Sequence, residues 1–393
     1  MDAKDARATR LTRLVHIGPH KTGTTTVQAA FHSNRGALRE RGILYLGDQL
    51  QPTKAVKAVT GAQTGELQER GLRQWNGLVE EARSFDGSVV LSSEFLCEAD
   101  DPTARRVLED LGGEGHQPHV VVTLRPLSKI LPSQWQQFIQ SGSVTRIDEW
   151  LDWVLSVYDR QPRPLVWQRH RHHDLVARWS RAAGPGNLTV VVADESEPAQ
   201  LPQVFAGLLG LPEDVLVPPT AVANRSLRME EAEAVRLFNA AFEELNARRA
   251  AAPNREPLEL TMDQRMAAWR ALKRVTPDPD YHRIALPPSA TEAVAVLARH
   301  MVEAISALGV HVIGDLESLA ADGAVLAEDA VRPRWVRPEL AAEVATAVLA
   351  QVMPAAAAQA DGDPGHARAA RVDAVTRASG LLRSVSHRLR QVR

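Results

Sequence analysis

The chain has 393 residues, a formal net charge of −2 and an apolar fraction of 44%. That is enough to bury a core in one large α/β domain with an appendage, or in two domains, and the near-zero charge supplies no global field to attract nucleic acid. One cysteine, Cys97, excludes an internal disulfide and any multi-cysteine metal site.

Within Glu94-Phe95-Leu96-Cys97 the thiol reads as a small buried hydrophobe. Residues 1–12 form a polar arm without the apolar stretch of a secretory signal, and no apolar run reaches bilayer-spanning length. A reducing, cytoplasmic setting is the expectation.

Arg13-Leu14-Val15-His16-Ile17 reads as a first strand and Thr24 to Arg41 as a helix with Val27, Ala30, Phe31 and Leu38 on one face and Gly42 as its cap. Further strands are expected at Ile43–Leu46, Ser88–Ser92, His119–Leu124 and Leu188–Val192. The nearly continuous apolar run at His119–Leu124 suits a strand covered on both faces. Strands alternating with helices predict a parallel sheet with crossover helices. After about residue 200, helical stretches dominate at Pro202–Leu209, Met229–Ala250, Met262–Val275 and Ala290–Leu308, with Pro253 and Pro277-Asp278-Pro279 as breaks. The expected organisation is the arm over 1–12, an α/β domain over 13–315, and an Ala/Arg-rich helical extension over 316–393 with a linker near 354–365.

The most informative segment is His16-Ile17-Gly18-Pro19-His20-Lys21-Thr22-Gly23-Thr24-Thr25-Thr26, which leaves a strand and enters a helix. Gly18 and Gly23 permit a tight turn and close approach of a ligand. The turn and the helix start present unpaired N–H groups in a positive helix-dipole field, a phosphate cradle. Lys21 adds a full charge, and Thr22, Thr24, Thr25 and Thr26 add hydroxyls. A second candidate anion clamp follows the His119–Leu124 strand: Arg125 at its end, and Ser133 eight residues on, near the start of a helix expected to begin at about Pro132.

A nucleotide-hydrolase P-loop reads G-x-x-x-x-G-K-S/T, with Lys after the second Gly; here Lys21 precedes Gly23. This order resembles the 5′-phosphosulfate loop of sulfotransferases that use 3′-phosphoadenosine-5′-phosphosulfate (PAPS), and His-Lys-Thr-Gly-Thr-Thr closely matches the form in bacterial members. The resemblance spans roughly residues 13–240. It implies a P-loop-like parallel sheet flanked by helices, with a helix-rich C-terminal half. It also implies PAPS as donor on Gly18, Lys21, Thr22, Gly23, Thr24, Thr25 and Thr26, with Arg125 and Ser133 on its 3′-phosphate, and sulfuryl transfer to a hydroxyl or amine of a carbohydrate, lipid or small molecule. No metal is expected. Asn224-Arg225-Ser226-Leu227 resembles a loop near the cofactor, whereas the Arg-Lys-Gly segment of cytosolic animal members is missing.

In-line transfer needs a group to take the acceptor proton. Glu94, just past a strand, is the favoured base, with capping of the next helix as its other reading; His20, inside the loop, is the rival. Lys21 is placed to steady the leaving charge. The run Arg169-His170-Arg171-His172-His173-Asp174 lacks metal-ligand spacing and reads as a solvated, basic helix start. The basic amphipathic stretch from Val375 to Arg393 reads as a solvated helix packed on its own core before a membrane or partner contact. Two other functions stay open: a P-loop nucleotide kinase or ATPase, with Asp194 and Glu195 at a strand end as its magnesium acids, and a non-catalytic PAPS-fold binding protein.

Overall fold

The computed structural model describes residues 12–113, 116–194, 196–197, 199–219, 225–252, 257–321, 333 and 336–358. In chain order the strands are β1 (Arg13–Ile17), β2 (Ile43–Tyr45), β3 (Ser88–Ser92), β4 (His119–Leu124), β5 (Leu188–Val192) and β6 (His311–Ile313). The helices are α1 (Thr24–Ser33), α2 (Arg35–Glu40), α3 (Thr53–Val59), α4 (Gly65–Ser84), α5 (Asp101–Gly112), α6 (Leu127–Gln140), α7 (Ile147–Ser156), α8 (Leu165–His170), α9 (His172–Ala183), α10 (Gln200–Leu208), α11 (Met229–Ala250), α12 (Met262–Arg274), α13 (Pro288–Ser306), α14 (Ser318–Ala321) and α15 (Pro338–Ala358).

The chain divides into two compact units that interleave in sequence. The first holds Met1–Ile130, Ser156–Val222 and Glu292–Gly323, and the second Leu131–Leu155, Ala223–Thr291 and Ala324–Arg393. The first unit is the α/β sheet. All its strands are parallel, in the order β2-β3-β1-β4-β5-β6. Alternation along each strand sends side chains to two cores. Leu14, Tyr45, Val90, Val121 and Val191 pack with Val27 and Phe31 of α1 and Phe205 of α10. On the other face, Val15, Leu44, Leu91, Val122 and Val190 pack with Trp75 of α4, Val107 of α5, Trp179 of α9 and Ile305 of α13. A sheet covered on both faces is the arrangement that the apolar strands and their crossover helices demand. In the second unit α11, α12 and α15 pack on one another. Thr261 and Gln264 cap α12 reciprocally, as a capping box does.

The chain leaves β1 toward β2 on one side of the sheet and leaves β4 toward β5 on the other. The crevice beyond the carboxyl ends of β1 and β4 is therefore the topological switch point, where open α/β sheets bind ligands. Among the described residues no helix is long and apolar enough to cross a membrane.

Several expectations need correction. The helix expected over Thr24 to Arg41 breaks at Asn34, whose side chain donates to the Ala30 carbonyl and competes with the helical ladder. The helix after Arg125 begins at Leu127, not near Pro132: the N–H groups of Lys129 and Ile130 close its first turn on the Pro126 carbonyl, and Pro132 lies inside the helix. The histidine run is not solvated. His170, His172 and His173 are buried, while Arg169 pairs with Glu98 and Arg171 with Asp174, so the charges that suggested solvent are neutralised locally. The short strand β6 was not foreseen. Cys97 is buried, as its surroundings predicted. The basic stretch 375–393, Glu195 and Asn224 lie outside the described residues, and α15 runs on to Ala358, into the segment read as a linker.

Candidate functional site

The loop from Gly18 to Gly23 joins β1 to α1 at the switch point. Its shape rests on hydroxyls. Thr22 Oγ1 donates to the Pro19 carbonyl at 2.8 Å and lies 3.1 Å from Thr123 Oγ1, and Thr24 Oγ1 donates to the Gly18 carbonyl at 3.4 Å. Thr22 and Thr24 are thus turned inward and hold the loop, while Thr25 is exposed and the Thr26 N–H returns to the Gly23 carbonyl. A side chain at Gly18 would collide with Thr24 Oγ1 and bring its Cβ within 2.7 Å of Thr123 Oγ1. Gly23 takes φ 87° as the cap before α1, a region that glycine enters without penalty.

Lys21 sits at φ 73°, and among the described residues it is the one non-glycine with positive φ. An L-residue held there stores strain that the surroundings have to over-determine. Arg125 does so in part: its Nη1 donates to the Lys21 carbonyl at 3.1 Å. Burial lowers the Lys21 ammonium pKa; the charge of Glu94 raises it and that of Arg125 lowers it. Burial likewise lowers the Arg125 pKa. Two half-desolvated cations and one carboxylate therefore share this corner of the first unit. Ser133 lies on α6 in the second unit, nearly two turns beyond Leu127.

Beneath the loop runs a buried polar chain. His16 Nδ1 is 2.8 Å from Ser92 Oγ and its Nε2 is 3.2 Å from Thr123 Oγ1, the hydroxyl that also meets Thr22. Burial pushes the His16 pKa down to about 3, so the ring is neutral and can accept one hydrogen bond while donating the other.

Both candidate proton acceptors occur together. Ser93, not Glu94, caps the 3₁₀ turn that follows β3, accepting the Phe95 N–H. That leaves the Glu94 carboxylate to face His20, with Oε2 3.4 Å from Nδ1. His20 Nε2 is 3.8 Å from Glu98 Oε1, and Glu98 in turn accepts from Arg169 Nε at 2.9 Å and Nη2 at 2.6 Å. Burial raises the Glu98 pKa, but His20 and Arg169 beside it prevail and hold the carboxyl below its ordinary range. On the other side Gln51 Nε2 donates to Glu94 Oε1 at 3.4 Å, and Gln51 Oε1 accepts the Ser93 hydroxyl at 2.9 Å.

Sequence reasoning missed His16, Thr123, Gln51 and Glu98, and singled out Arg169 only as part of a basic helix start or a contact to an anionic acceptor. For His16 a signal existed: a histidine within an aliphatic strand is buried and needs partners. Arg225, in the loop compared with a cofactor loop, is committed elsewhere. It donates to both carboxylate oxygens of Glu231 at 2.7 Å and to the Val275 carbonyl at 2.9 Å. Asp194 Oδ1, one of the two acids read as magnesium ligands, accepts from the Ser196 N–H and hydroxyl.

Searches of protein-family models and of curated proteins gave no match. Among solved structures, the chain is similar to a crystal structure of a sulfotransferase from Alicyclobacillus acidocaldarius, at 17% identity and a TM-score of 0.38, with 62% of this chain and 92% of that one covered.

Proposed function

We propose that this chain is a sulfotransferase that moves a sulfuryl group from PAPS to a hydroxyl or amine of an acceptor. The observation that carries the reading is Lys21: a lysine in left-handed conformation at the switch point, tied through its carbonyl to Arg125 and within the field of Glu94. The positive start of α1 suits the charged 5′ end of such a donor.

Bound there, PAPS supplies the sulfuryl group, whose bond to the 5′-phosphate oxygen breaks with its electron pair on that oxygen as the acceptor atom bonds to sulfur. Lys21 steadies the negative charge left behind, in a site dry enough to lower its own pKa. Arg125 offers a planar fork to the 3′-phosphate. Glu94 takes the acceptor proton, and His20 and Gln51 hold its carboxylate from two sides.

The test is a thermal-shift series with 3′,5′-adenosine bisphosphate, AMP and ATP–magnesium, followed by transfer from labelled PAPS. Bisphosphate near 100 times its dissociation constant should stabilise the protein by about 2.7 kcal/mol, far more than AMP does. Equal stabilisation by AMP removes the 3′-phosphate site. Magnesium-dependent ATP turnover replaces this reading with the kinase one, and bisphosphate binding without transfer to any acceptor replaces it with a binding protein.

A further inference from the structure

A cleft of about 770 Å³ opens beside β2, lined by residues of the segment 47–55 and by Gln74, Gly77 and Leu78 of α4. That volume suits a small organic ligand. The rim is fixed from below. The Arg35 guanidinium donates to the carbonyls of Gly47, of Asp48 at 3.1 Å and of Gln49 at 3.4 Å, and the Tyr45 hydroxyl donates to the Leu50 carbonyl at 2.6 Å.

The lining has a definite chemistry. Gln49, Gln51 and Gln74 are among the lining residues. The Gln51 carboxamide is engaged with Glu94 and Ser93; those of Gln49 and Gln74 each carry two donors and an acceptor oxygen, the complement of neighbouring hydroxyls that both give and take hydrogen bonds. Leu50, Pro52 and Leu78 supply apolar patches for C–H faces. Asp48 and Lys54 in the lining oppose each other in sign, and the Arg35 guanidinium at the rim is turned onto backbone carbonyls. No aromatic side chain is among the lining residues, so a flat phenol finds no ring to stack on.

Gln51 belongs to two places. It lines the cleft, and its carboxamide holds Glu94 through Nε2 while the buried Ser93 hydroxyl fixes the opposite end. The Glu94 carboxylate only accepts, so the Nε2 end of the amide is the one that faces it.

We propose that this cleft binds the acceptor, that the acceptor is a neutral saccharide, and that Gln51 is the positioning residue joining the cleft to Glu94. The transfer step rests on the sulfotransferase reading; the saccharide site does not. In that step the saccharide hydroxyl gives its proton to Glu94 and its oxygen bonds to sulfur. The donor's S–O bond breaks onto the phosphate oxygen, leaving a sulfate ester and 3′,5′-adenosine bisphosphate.

The test uses the full chain, with cellobiose, maltose and 4-nitrophenol as probes in saturation-transfer NMR and with bisphosphate affinity measured on the same samples. A disaccharide should bind, and Gln74→Leu, at an exposed position of α4, should weaken it at least tenfold without changing bisphosphate affinity. In transfer assays Gln74→Leu should raise KM at constant kcat, whereas Gln51→Leu should also lower kcat at least tenfold, a split that mere loosening of the loop would not give. Absence of disaccharide binding, unchanged binding in Gln74→Leu, or binding of 4-nitrophenol in place of the sugars overturns the proposal. If sugars bind and bisphosphate does not, the cleft stands and the sulfotransferase reading falls. If bisphosphate binds and the sugars do not, the cleft assignment alone falls.

Discussion

His20 Nδ1 lies 3.4 Å from Glu94 Oε2, and the opposite ring nitrogen faces Glu98 at 3.8 Å. The two rival proton acceptors are therefore members of one row, Glu94–His20–Glu98–Arg169, rather than alternatives. Groups in one network do not act independently. Glu94→Gln is expected to lower kcat by about 10²–10⁴ with bisphosphate affinity nearly unchanged, and His20→Ala to lower it less. The double variant should be little worse than Glu94→Gln alone. Steady-state kinetics of the three variants decide the matter. Full additivity would separate the pair, and loss of kcat only in His20→Ala would move the base to His20.

Arg125 has two tasks in this arrangement, the bond to the Lys21 carbonyl and the proposed hold on the 3′-phosphate. Arg125→Ala should erase most of the preference for 3′,5′-adenosine bisphosphate over AMP, since a hydrogen bond to a charged group contributes about 1.5–3 kcal/mol. It should also weaken AMP somewhat, because the loop loses a tether. Arg125→Lys keeps the charge without the fork and should fall between. Calorimetric titration of both nucleotides reads the three cases; an unchanged preference in Arg125→Ala would place the 3′-phosphate elsewhere.

How far the sequence disclosed this site depended on where each partner lies along the chain. The loop was legible because Gly18, Lys21 and Gly23 sit within six residues between a β-branched run and a helix. Strands β1 to β5 were legible as apolar runs, whereas β6 is three residues long and has an exposed histidine, too little for period or composition to mark. Gln51 reaches Glu94 across 43 positions and Arg169 reaches Glu98 across 71, and no local pattern encodes such pairings. The histidine run misled for the same reason. Its charges looked solvated because their carboxylate partners, apart from Asp174, are distant in sequence.

The positive φ of Lys21 gives a prediction about strain. Lys21→Gly and Lys21→Ala both remove the ammonium and should both lose bisphosphate binding. They should differ in stability. Alanine keeps the left-handed penalty of roughly 1–2 kcal/mol and glycine sheds it, so Lys21→Gly should unfold at the higher urea concentration. Equal midpoints would mean that the loop relaxes once the lysine side chain is gone.

Buried histidines predict the acid response of the first unit. Burial pushes His16 down to about 3; His172 is also lowered to about 3, by burial first and the charge of His173 second. In the unfolded chain both titrate near the ordinary histidine value of about 6.5. Between those limits the unfolded chain binds protons that the folded chain does not, so stability falls as pH drops from about 6.5 toward 3. At pH 5 these two rings alone amount to a slope of roughly 3 kcal/mol per pH unit. Glu98 acts in the same direction at the acid end, because its carboxyl is held below the ordinary range and its contribution is lost as it protonates. Urea unfolding at closely spaced pH values from 4 to 8 should show a plateau above pH 7 and a slope of at least two protons near pH 5. A slope of less than one proton there would mean that His16 or His172 ionises inside the fold, and the neutral ring assigned to the chain Ser92–His16–Thr123 would have to be given up.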